Sequence, residues 1–249
     1  MLRKFFYCLA LLVLAGPAIA NDRAKGEASA AIATASEAIR RDPRDASAYY
    51  NRGNAYSDKG EADRAIADYT TTIRLDPAHV NAHYNRGNAY SNKGDAERAI
   101  ADYTATIRLD PAYANAYYNR GNAFSKKCDT DRAIADYTEA VRLQPMNANA
   151  YVNRGLAYEK RGDFAKARAD FNATLGLTQS ATRWALDKAR ERLAVLPAPR
   201  PATILAEKPS VPPAVLAPGA ANGDRRIALV IGNSAYENVA ALPNPVPRR

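Results

Sequence analysis

The sequence predicts an all-α fold, a solenoid of four helix-turn-helix repeats. A unit of 34 residues occurs four times, and its first two copies are identical at 26 of 34 positions. Each copy contains two stretches whose apolar residues recur at helical spacing, and three copies close with a proline. A fixed period of this length is typical of repeat solenoids, in which each unit buries its apolar face against its neighbours. The units are residues 47–80, 81–114, 115–148 and 149–182.

The first unit shows why each copy should form two helices. Ala48–Lys59 has helical periodicity, and Gly60 is expected to end it. Ala62–Leu75 follows with an apolar stripe of period 3.6, and the residue before Pro77 is forced out of the helical region. Gly53 recurs in every unit in the middle of the first helix, where glycine costs about 1 kcal/mol relative to alanine. We therefore expect the second helix to approach the first closely at this point.

Two charged positions also recur in every unit. An arginine directly precedes the mid-helix glycine, and an aspartate lies on the second helix. The residues are Arg52, Arg86, Arg120 and Arg154, with Asp68, Asp102, Asp136 and Asp170. We expect a half-buried Arg–Asp pair within each unit, because the guanidinium fork matches a carboxylate in bidentate geometry. The alternative is that both positions form solvated faces.

The solenoid is predicted to be capped at both ends. Residues 21–46 form a half-repeat, since residues 27–41 match a second helix when the sequence is shifted by 34 residues, with Pro43 falling under Pro77. Residues 183–195 have an amphipathic pattern that predicts a solvating helix over the last repeat. We interpret Trp184 in this helix as a packing anchor.

The positive charge does not indicate a nucleic-acid groove. The net charge is +9, but the four units hold 18 Lys or Arg residues against 16 Asp or Glu residues. A nucleic-acid site concentrates basic residues on one face, whereas here the excess is spread over the flanks of the repeats. We therefore predict that nucleic acid is not a partner.

Residues 1–20 have the pattern of a secretory signal peptide. Two basic residues precede Phe5–Ala15, an apolar run of 11 residues, and Ala18-Ile19-Ala20 is a small-x-small cleavage pattern. The run is shorter than the ~20 apolar residues that cross a membrane. We expect cleavage between Ala20 and Asn21, a periplasmic or secreted protein, and no membrane span after cleavage.

Cys128 is the one cysteine outside this leader, because the other is Cys8. It occupies the turn position that Gly60, Gly94 and Gly162 fill in the other units. Glycine is favoured there because it adopts positive φ without strain, and a cysteine should cost about 1 kcal/mol if the geometry is kept. The cysteine is either a reactive or dimer-forming thiol or a neutral change at a tolerant turn.

The repeat pattern resembles the tetratricopeptide repeat. The residues that carry the resemblance in the first unit are Tyr49, Gly53, Tyr56, Gly60, Ala65, Tyr69 and Pro77, and the four units cover 136 of 249 residues. The resemblance implies a right-handed solenoid whose first helices line a concave groove that holds a peptide or a partner protein.

Position by position, the resemblance assigns residues of the first helices to this groove. They are Tyr50, Asn51, Asn54, Tyr84, Asn85, Asn88, Tyr118, Asn119, Asn122 and Asn153, with Val152 and Leu156 at the matching places of the last unit. Asparagine amides both donate to and accept from an extended backbone. The alternative is that some of these asparagines bond between neighbouring repeats. The pattern assigns no catalytic, cofactor-binding or metal-binding residue, and it leaves the oligomeric state open.

Two further segments follow the repeats. Residues 196–223 are rich in proline and alanine, which predicts an extended linker. Residues 224–249 contain the string R-R-I-A-L-V-I-G-N-S-A-Y-E-N, which resembles the opening strand and loop of caspase-like cysteine peptidases and implies an incomplete α/β fragment. The catalytic His and Cys of that family would lie beyond residue 249.

Two functions therefore remain open. The leading hypothesis is an exported, non-enzymatic scaffold for protein–protein interaction. The alternative is a truncated member of a family of caspase-like peptidases that carry tetratricopeptide repeats.

Overall fold

The computed structural model describes residues 25–198, and this part of the chain consists of helices joined by short turns. Residues 25–41 form α1. The helices that follow are α2 (Ala46–Asp58), α3 (Ala62–Leu75), α4 (Val80–Asn92), α5 (Ala96–Leu109), α6 (Ala114–Lys126), α7 (Thr130–Leu143), α8 (Ala148–Arg161), α9 (Phe164–Gly176) and α10 (Arg183–Val195). The predicted all-α solenoid of helix pairs is confirmed.

Several predictions fall outside the described residues. These are the signal peptide with its cleavage site at Ala20 and Asn21, the linker beyond residue 198, and the caspase-like stretch. They stay predictions. Among residues 25–198, no helix is long and apolar enough to cross a membrane.

The first helix pair shows how well the sequence pattern predicts where helices begin and end. Helix α3 begins and ends at the predicted residues. Helix α2 begins at Ala46, earlier than the predicted Ala48, because Asp45 caps it: its carboxylate accepts a hydrogen bond from the backbone N–H of Ala48 at 3.0 Å. A side-chain acceptor at this position satisfies one of the unpaired N–H groups of the first turn.

The helices pack in chain order, each against the next from α2 to α10. In addition, α2 contacts α4, α4 contacts α6, and α6 contacts α8, whereas the second helices α3, α5 and α7 do not contact one another. The first helices are therefore closer together than the second helices. This difference curves the array and places the first helices on its concave side.

Each unit closes on a contact between a glycine and an aromatic ring. A Cβ atom added at Gly121 would lie 2.8 Å from Cε1 of Tyr137 and 3.3 Å from Cβ of Asp136. Tyr137 is buried. The same contact occurs at Gly53 with Tyr69, Gly87 with Tyr103 and Gly155 with Phe171. The predicted close approach of the two helices is confirmed.

The predicted Arg–Asp pairs are present in all four units and are bidentate. In the third unit, Nε and Nη2 of Arg120 each donate to a carboxylate oxygen of Asp136 at 2.8 Å. The side chains are 17% and 7% exposed, so the pair is largely excluded from water. The other pairs are Arg52–Asp68, Arg86–Asp102 and Arg154–Asp170, with N···O distances of 2.7–2.8 Å.

Each arginine also reaches the preceding unit, which the sequence pattern did not indicate. Nη1 of Arg120 donates to the hydroxyl of Thr104 on α5 at 3.0 Å. The guanidinium also lies over the rings of Tyr117 and Phe124, 5.7 and 6.0 Å from their centroids. The arginine therefore joins the two helices of its own unit and the second helix of the unit before it.

In the Arg86–Asp102 pair, the neighbouring groups keep the carboxylate of Asp102 ionised. Burial alone would raise the pKa of Asp102, but the hydrogen bonds and positive charge of Arg86, together with the neighbouring His83, lower that pKa below its usual range. Nδ1 of His83 lies 3.6 Å from Oδ1 of Asp102. The carboxylate is therefore ionised at neutral pH and stays an acceptor for the guanidinium.

Cys128 keeps the backbone conformation of the glycines that it replaces. Its φ is +61°, and Gly60, Gly94 and Gly162 have φ values of +76°, +82° and +85°. Its thiol is free and exposed. The predicted left-handed geometry is confirmed, while the two interpretations of the thiol stay open.

The substitution Cys128→Gly is expected to stabilise the protein by about 1 kcal/mol, because it removes the clash of a Cβ atom in the left-handed region. The change is measured as the shift of the denaturation midpoint. The control is Cys128→Ser, which keeps the Cβ atom and should leave the midpoint unchanged. A gain with both variants would assign the effect to the thiol rather than to the backbone.

Candidate ligand groove

The concave side holds two neighbouring cavities that together run along the first helices. The larger has a volume of about 700 Å³ and is lined by residues of α2, α4, α6, α8 and α10, with two tyrosines from second helices. The smaller, of about 240 Å³, lies at the N-terminal end and shares Ser57 and Asn88 with the larger one. We call the two together the groove.

A hydrogen-bond ladder of asparagines and tyrosines forms the floor of the groove. Between α2 and α4, the amide nitrogen of Asn85 donates to the hydroxyl of Tyr50 at 3.1 Å and to the amide oxygen of Asn54 at 3.0 Å. The same oxygen accepts from the hydroxyl of Tyr69 at 2.9 Å. Four side chains from two repeats are therefore joined at one point.

The ladder repeats at the next two joints. Asn119 donates to Tyr84 and Asn88 at 3.0 and 2.9 Å, and Asn153 donates to Tyr118 and Asn122 at 3.2 and 2.9 Å. Tyr103 and Tyr137 complete the two joints by donating to the same asparagine oxygens at 2.8 Å. Bonding between repeats, the alternative for these asparagines, is therefore present.

These asparagines nevertheless face the groove. Asn88, Asn119, Asn122 and Asn153 line the larger cavity, and Asn54, Asn85 and Asn88 line the smaller one. The amide oxygen of Asn119 and the amide nitrogen of Asn88 take no part in the ladder bonds described above. Because one group accepts and the other donates, a peptide backbone has matching partners along the floor. Their role in binding stays a prediction.

The second-helix tyrosines are kept as hydrogen-bond donors by burial. Burial raises the pKa of Tyr69, Tyr103 and Tyr137 well above the ordinary 10. Their hydroxyl groups therefore stay protonated near neutral pH and remain donors to the asparagine oxygens.

The structure separates the predicted tyrosines from the predicted asparagines. The rings of Tyr50, Tyr84 and Tyr118 are half-buried and pack on the second-helix tyrosines, with centroids 5.9–6.1 Å apart. They do not line either cavity of the groove. Asn51 is exposed and Val152 is fully buried, and neither lines a cavity.

Trp184 is the main residue that sequence reasoning missed. It is 50% exposed and lines the larger cavity at its C-terminal end. The interpretation as a packing anchor is wrong, because Ala185 and Ala189 make the buried face of α10. The four-residue spacing of these alanines could have shown the buried face, from which Trp184 is offset by one residue.

Smaller polar residues of the cavity were also missed. The hydroxyls of Ser57, Ser91 and Ser125 line the larger cavity, one from each of the first three repeats, and Lys126 is the charged residue among the residues that line it. Leu156, which stands where the earlier units have asparagine, adds apolar surface to the cavity that Trp184 also lines. The C-terminal end of the groove is therefore more apolar than the rest.

Comparison with known proteins agrees with this architecture. A family model described as TPR repeat matches residues 22–60, 53–94 and 88–127, and one described as tetratricopeptide repeat matches residues 118–182. Together these matches span well over half of the chain. A search of curated proteins returned no match.

Solved structures with the same fold include a crystal structure of MamA, with 27% identity and a TM-score of 0.59 over 69% of this chain and 94% of that chain. MamA from Desulfovibrio magneticus RS-1 has 24% identity and a TM-score of 0.59, covering 64% and 92% of the two chains. YrrB, described as a TPR protein with an unusual peptide-binding site, has 21% identity and a TM-score of 0.59, covering 66% and 84%. This chain belongs to the tetratricopeptide repeat family.

Proposed function

We propose that this protein is an exported interaction scaffold that holds an extended peptide, or such a segment of a partner protein, in the groove, and that the chain itself performs no catalysis. One observation carries the proposal: the cavity of about 700 Å³ is lined by amides and hydroxyls from four repeats and ends at a half-exposed tryptophan. Binding sites combine apolar surface with a few placed polar groups in this way.

The lining residues make two kinds of contribution to binding, hydrogen bonds and apolar contact. The asparagine amides and serine hydroxyls of the floor supply donors and acceptors for a peptide backbone. Trp184 and Leu156 supply the apolar surface. Tryptophan is enriched among the residues that carry most of the binding energy at interfaces. An apolar side chain of the ligand is therefore expected next to Trp184.

Export is supported by the composition of the leader, with its basic start, its apolar run and its small-x-small cleavage pattern. A repeat module whose binding surface is assembled from several units needs no disulfide to be stable outside the cytoplasm, because its core is continuous along the stack.

Trp184→Ala is expected to weaken peptide binding about 30-fold, which corresponds to about 2 kcal/mol for the loss of an aromatic contact with the ligand. A random-peptide phage library is selected on the full-length chain, and the enriched peptides are made with a fluorescein label. Fluorescence anisotropy then gives Kd for the parent and the variant. Trp184 is also the only tryptophan of the chain, so its emission should shift when the peptide binds.

Val195→Ala is the matched control. Val195 lies on the same helix and is 61% exposed, and it lines neither cavity of the groove. Its substitution should leave Kd unchanged. Equal affinities of the parent and the Trp184→Ala variant for every enriched peptide would overturn the assignment of the groove.

A further inference from the structure

One position at the edge of the groove changes charge from repeat to repeat. It is the residue that follows the cavity-lining serine on α2, α4 and α6, and it follows Glu159 at the matching place of α8; we call it the lip position. Its residues are Asp58, Asn92, Lys126 and Lys160. The charge at this position therefore changes from negative through neutral to positive along the array. The change from Asp58 to Asn92 stands out because the first two repeats are identical at 26 of 34 positions.

The lip residues face the ligand space. Asp58 lines the smaller cavity, and Asn92 and Lys126 line the larger one. Lys160 lines a further cavity that shares Leu156 with the larger one. All four lip residues are exposed. A ligand that follows the first helices passes them in order.

The lip charges are not neutralised by neighbours. Within residues 25–198, neither Asp58 nor Lys126 nor Lys160 forms an ion pair. The residues one position later do form pairs, for example Lys93 with Asp63 and Lys127 with Glu97. The position that faces the groove keeps its charge available, whereas the next position uses its charge to join adjacent repeats.

The acidic residues near the positive end are already paired. Glu159 forms an ion pair with Arg192, and Glu191 forms one with Lys188 at 2.6 Å. The net charge offered to a ligand at this end is therefore that of Lys126 and Lys160.

We propose that the groove selects its peptide by charge direction. The peptide carries an acidic residue beside an apolar side chain at the end formed by Lys126 and Trp184, and a basic residue at the end formed by Asp58. This proposal rests on the proposed function and adds the chemistry of the ligand. A uniformly acidic peptide would place like charges together at Asp58, and a uniformly basic one would do so at Lys126, which is how charged interfaces reject wrong partners.

Helix spacing sets the distance between the two charges of the peptide. Helices in contact lie about 8–10 Å apart, and α2, α4 and α6 touch in sequence. Asp58 and Lys126 are therefore about 16–20 Å apart along the groove. An extended chain advances about 3.3–3.6 Å per residue, so the basic and acidic residues of the peptide should be about five or six positions apart.

The test uses four pools of synthetic peptides with blocked termini and random central residues. The mixed pool has lysine at one end and leucine-aspartate at the other, in both chain directions. The acidic pool has aspartate at both ends, the basic pool has lysine at both ends, and the neutral pool has glutamine at both ends; all three keep the leucine of the mixed pool, so that the pools differ only in charge. Binding to the full-length protein is measured at low salt, where charge effects at exposed sites are largest.

The parent protein should bind the mixed pool about fivefold more tightly than the neutral pool, since exposed charge contacts contribute modestly. Lys126→Glu should move the preference to the basic pool, and Asp58→Lys should move it to the acidic pool. Lys127→Glu makes the same charge change one residue away, outside the groove, and should leave the order of the pools as in the parent.

Two other results would count against the proposal in different ways. If the pools bind but keep the same order in the parent, the Lys126→Glu variant and the Asp58→Lys variant, charge direction is refuted and the proposed function stands. If no pool binds the parent better than it binds the Trp184→Ala variant, both are refuted.

Discussion

Replacing Arg120 by alanine is expected to destabilise the protein by about 3 kcal/mol. The substitution leaves the carboxylate of Asp136, 7% exposed, without the guanidinium that neutralises it. Removing one partner of a buried ion pair is costly because the remaining charge stays desolvated. The variant also loses the bond to Thr104 of the preceding unit, so both the repeat and its joint are weakened.

Urea denaturation at neutral pH, followed by circular dichroism, measures this loss. Arg142→Ala is the matched control, because Arg142 is 64% exposed and pairs on the surface with Glu139, where ion pairs contribute little. The double variant Arg120→Met with Asp136→Leu should recover most of the stability, since it leaves no buried charge. A loss below about 1 kcal/mol for Arg120→Ala would mean that the pair is solvated.

Gly121→Ala is expected to destabilise the protein by about 2 kcal/mol, although alanine is the better helix former. The added Cβ would meet the ring of Tyr137 at 2.8 Å and Cβ of Asp136 at 3.3 Å. Overpacking of this kind costs about 1–3 kcal/mol, and moving the ring also disturbs the hydrogen bond that the hydroxyl of Tyr137 donates to the amide oxygen of Asn122 in the floor of the groove. The steric cost should exceed the gain of about 1 kcal/mol in helix propensity.

Gly176→Ala is the control for this prediction. Gly176 ends α9, and a Cβ there would meet nothing within 4 Å. The same chemical change should therefore be neutral or stabilising, by up to about 1 kcal/mol. If both variants gain stability in the same denaturation measurement, the close approach of α6 and α7 is not required for the fold.

The fold was accessible from the sequence because the signals are local and repeated. The 34-residue period, the glycine turns and the prolines each act over a few residues, and four copies strengthen a weak pattern. The Arg–Asp pair was also predictable, since both residues recur at fixed positions. The hydrogen bond from each arginine to the preceding unit, such as that of Arg120 to Thr104, was not predictable. It depends on how adjacent repeats pack against each other, which the pattern within one unit does not contain.

The groove was predictable only in part for the same reason. Position within the unit assigned Asn88 and Asn119 to the concave side. It could not show that the same side chain both forms a hydrogen bond between two repeats and lines the groove. Trp184 was misassigned because α10 does not repeat the unit and its orientation is set by packing of Ala185 and Ala189. A segment that occurs once, such as α10, offers no second copy whose residues at the same positions could test which face is buried.

The ladder has a consequence for how such a protein can acquire new ligands. Because Asn85, Asn119 and Asn153 hold adjacent repeats together, a substitution that retunes one of them for a new ligand also loosens a joint. In the part of the chain that the structure describes, the lip residues Asp58 and Lys126 form no ion pair that joins adjacent repeats. Substitutions that change the ligand are therefore best tolerated at the edge of the groove, where they alter selectivity with little loss of folding stability.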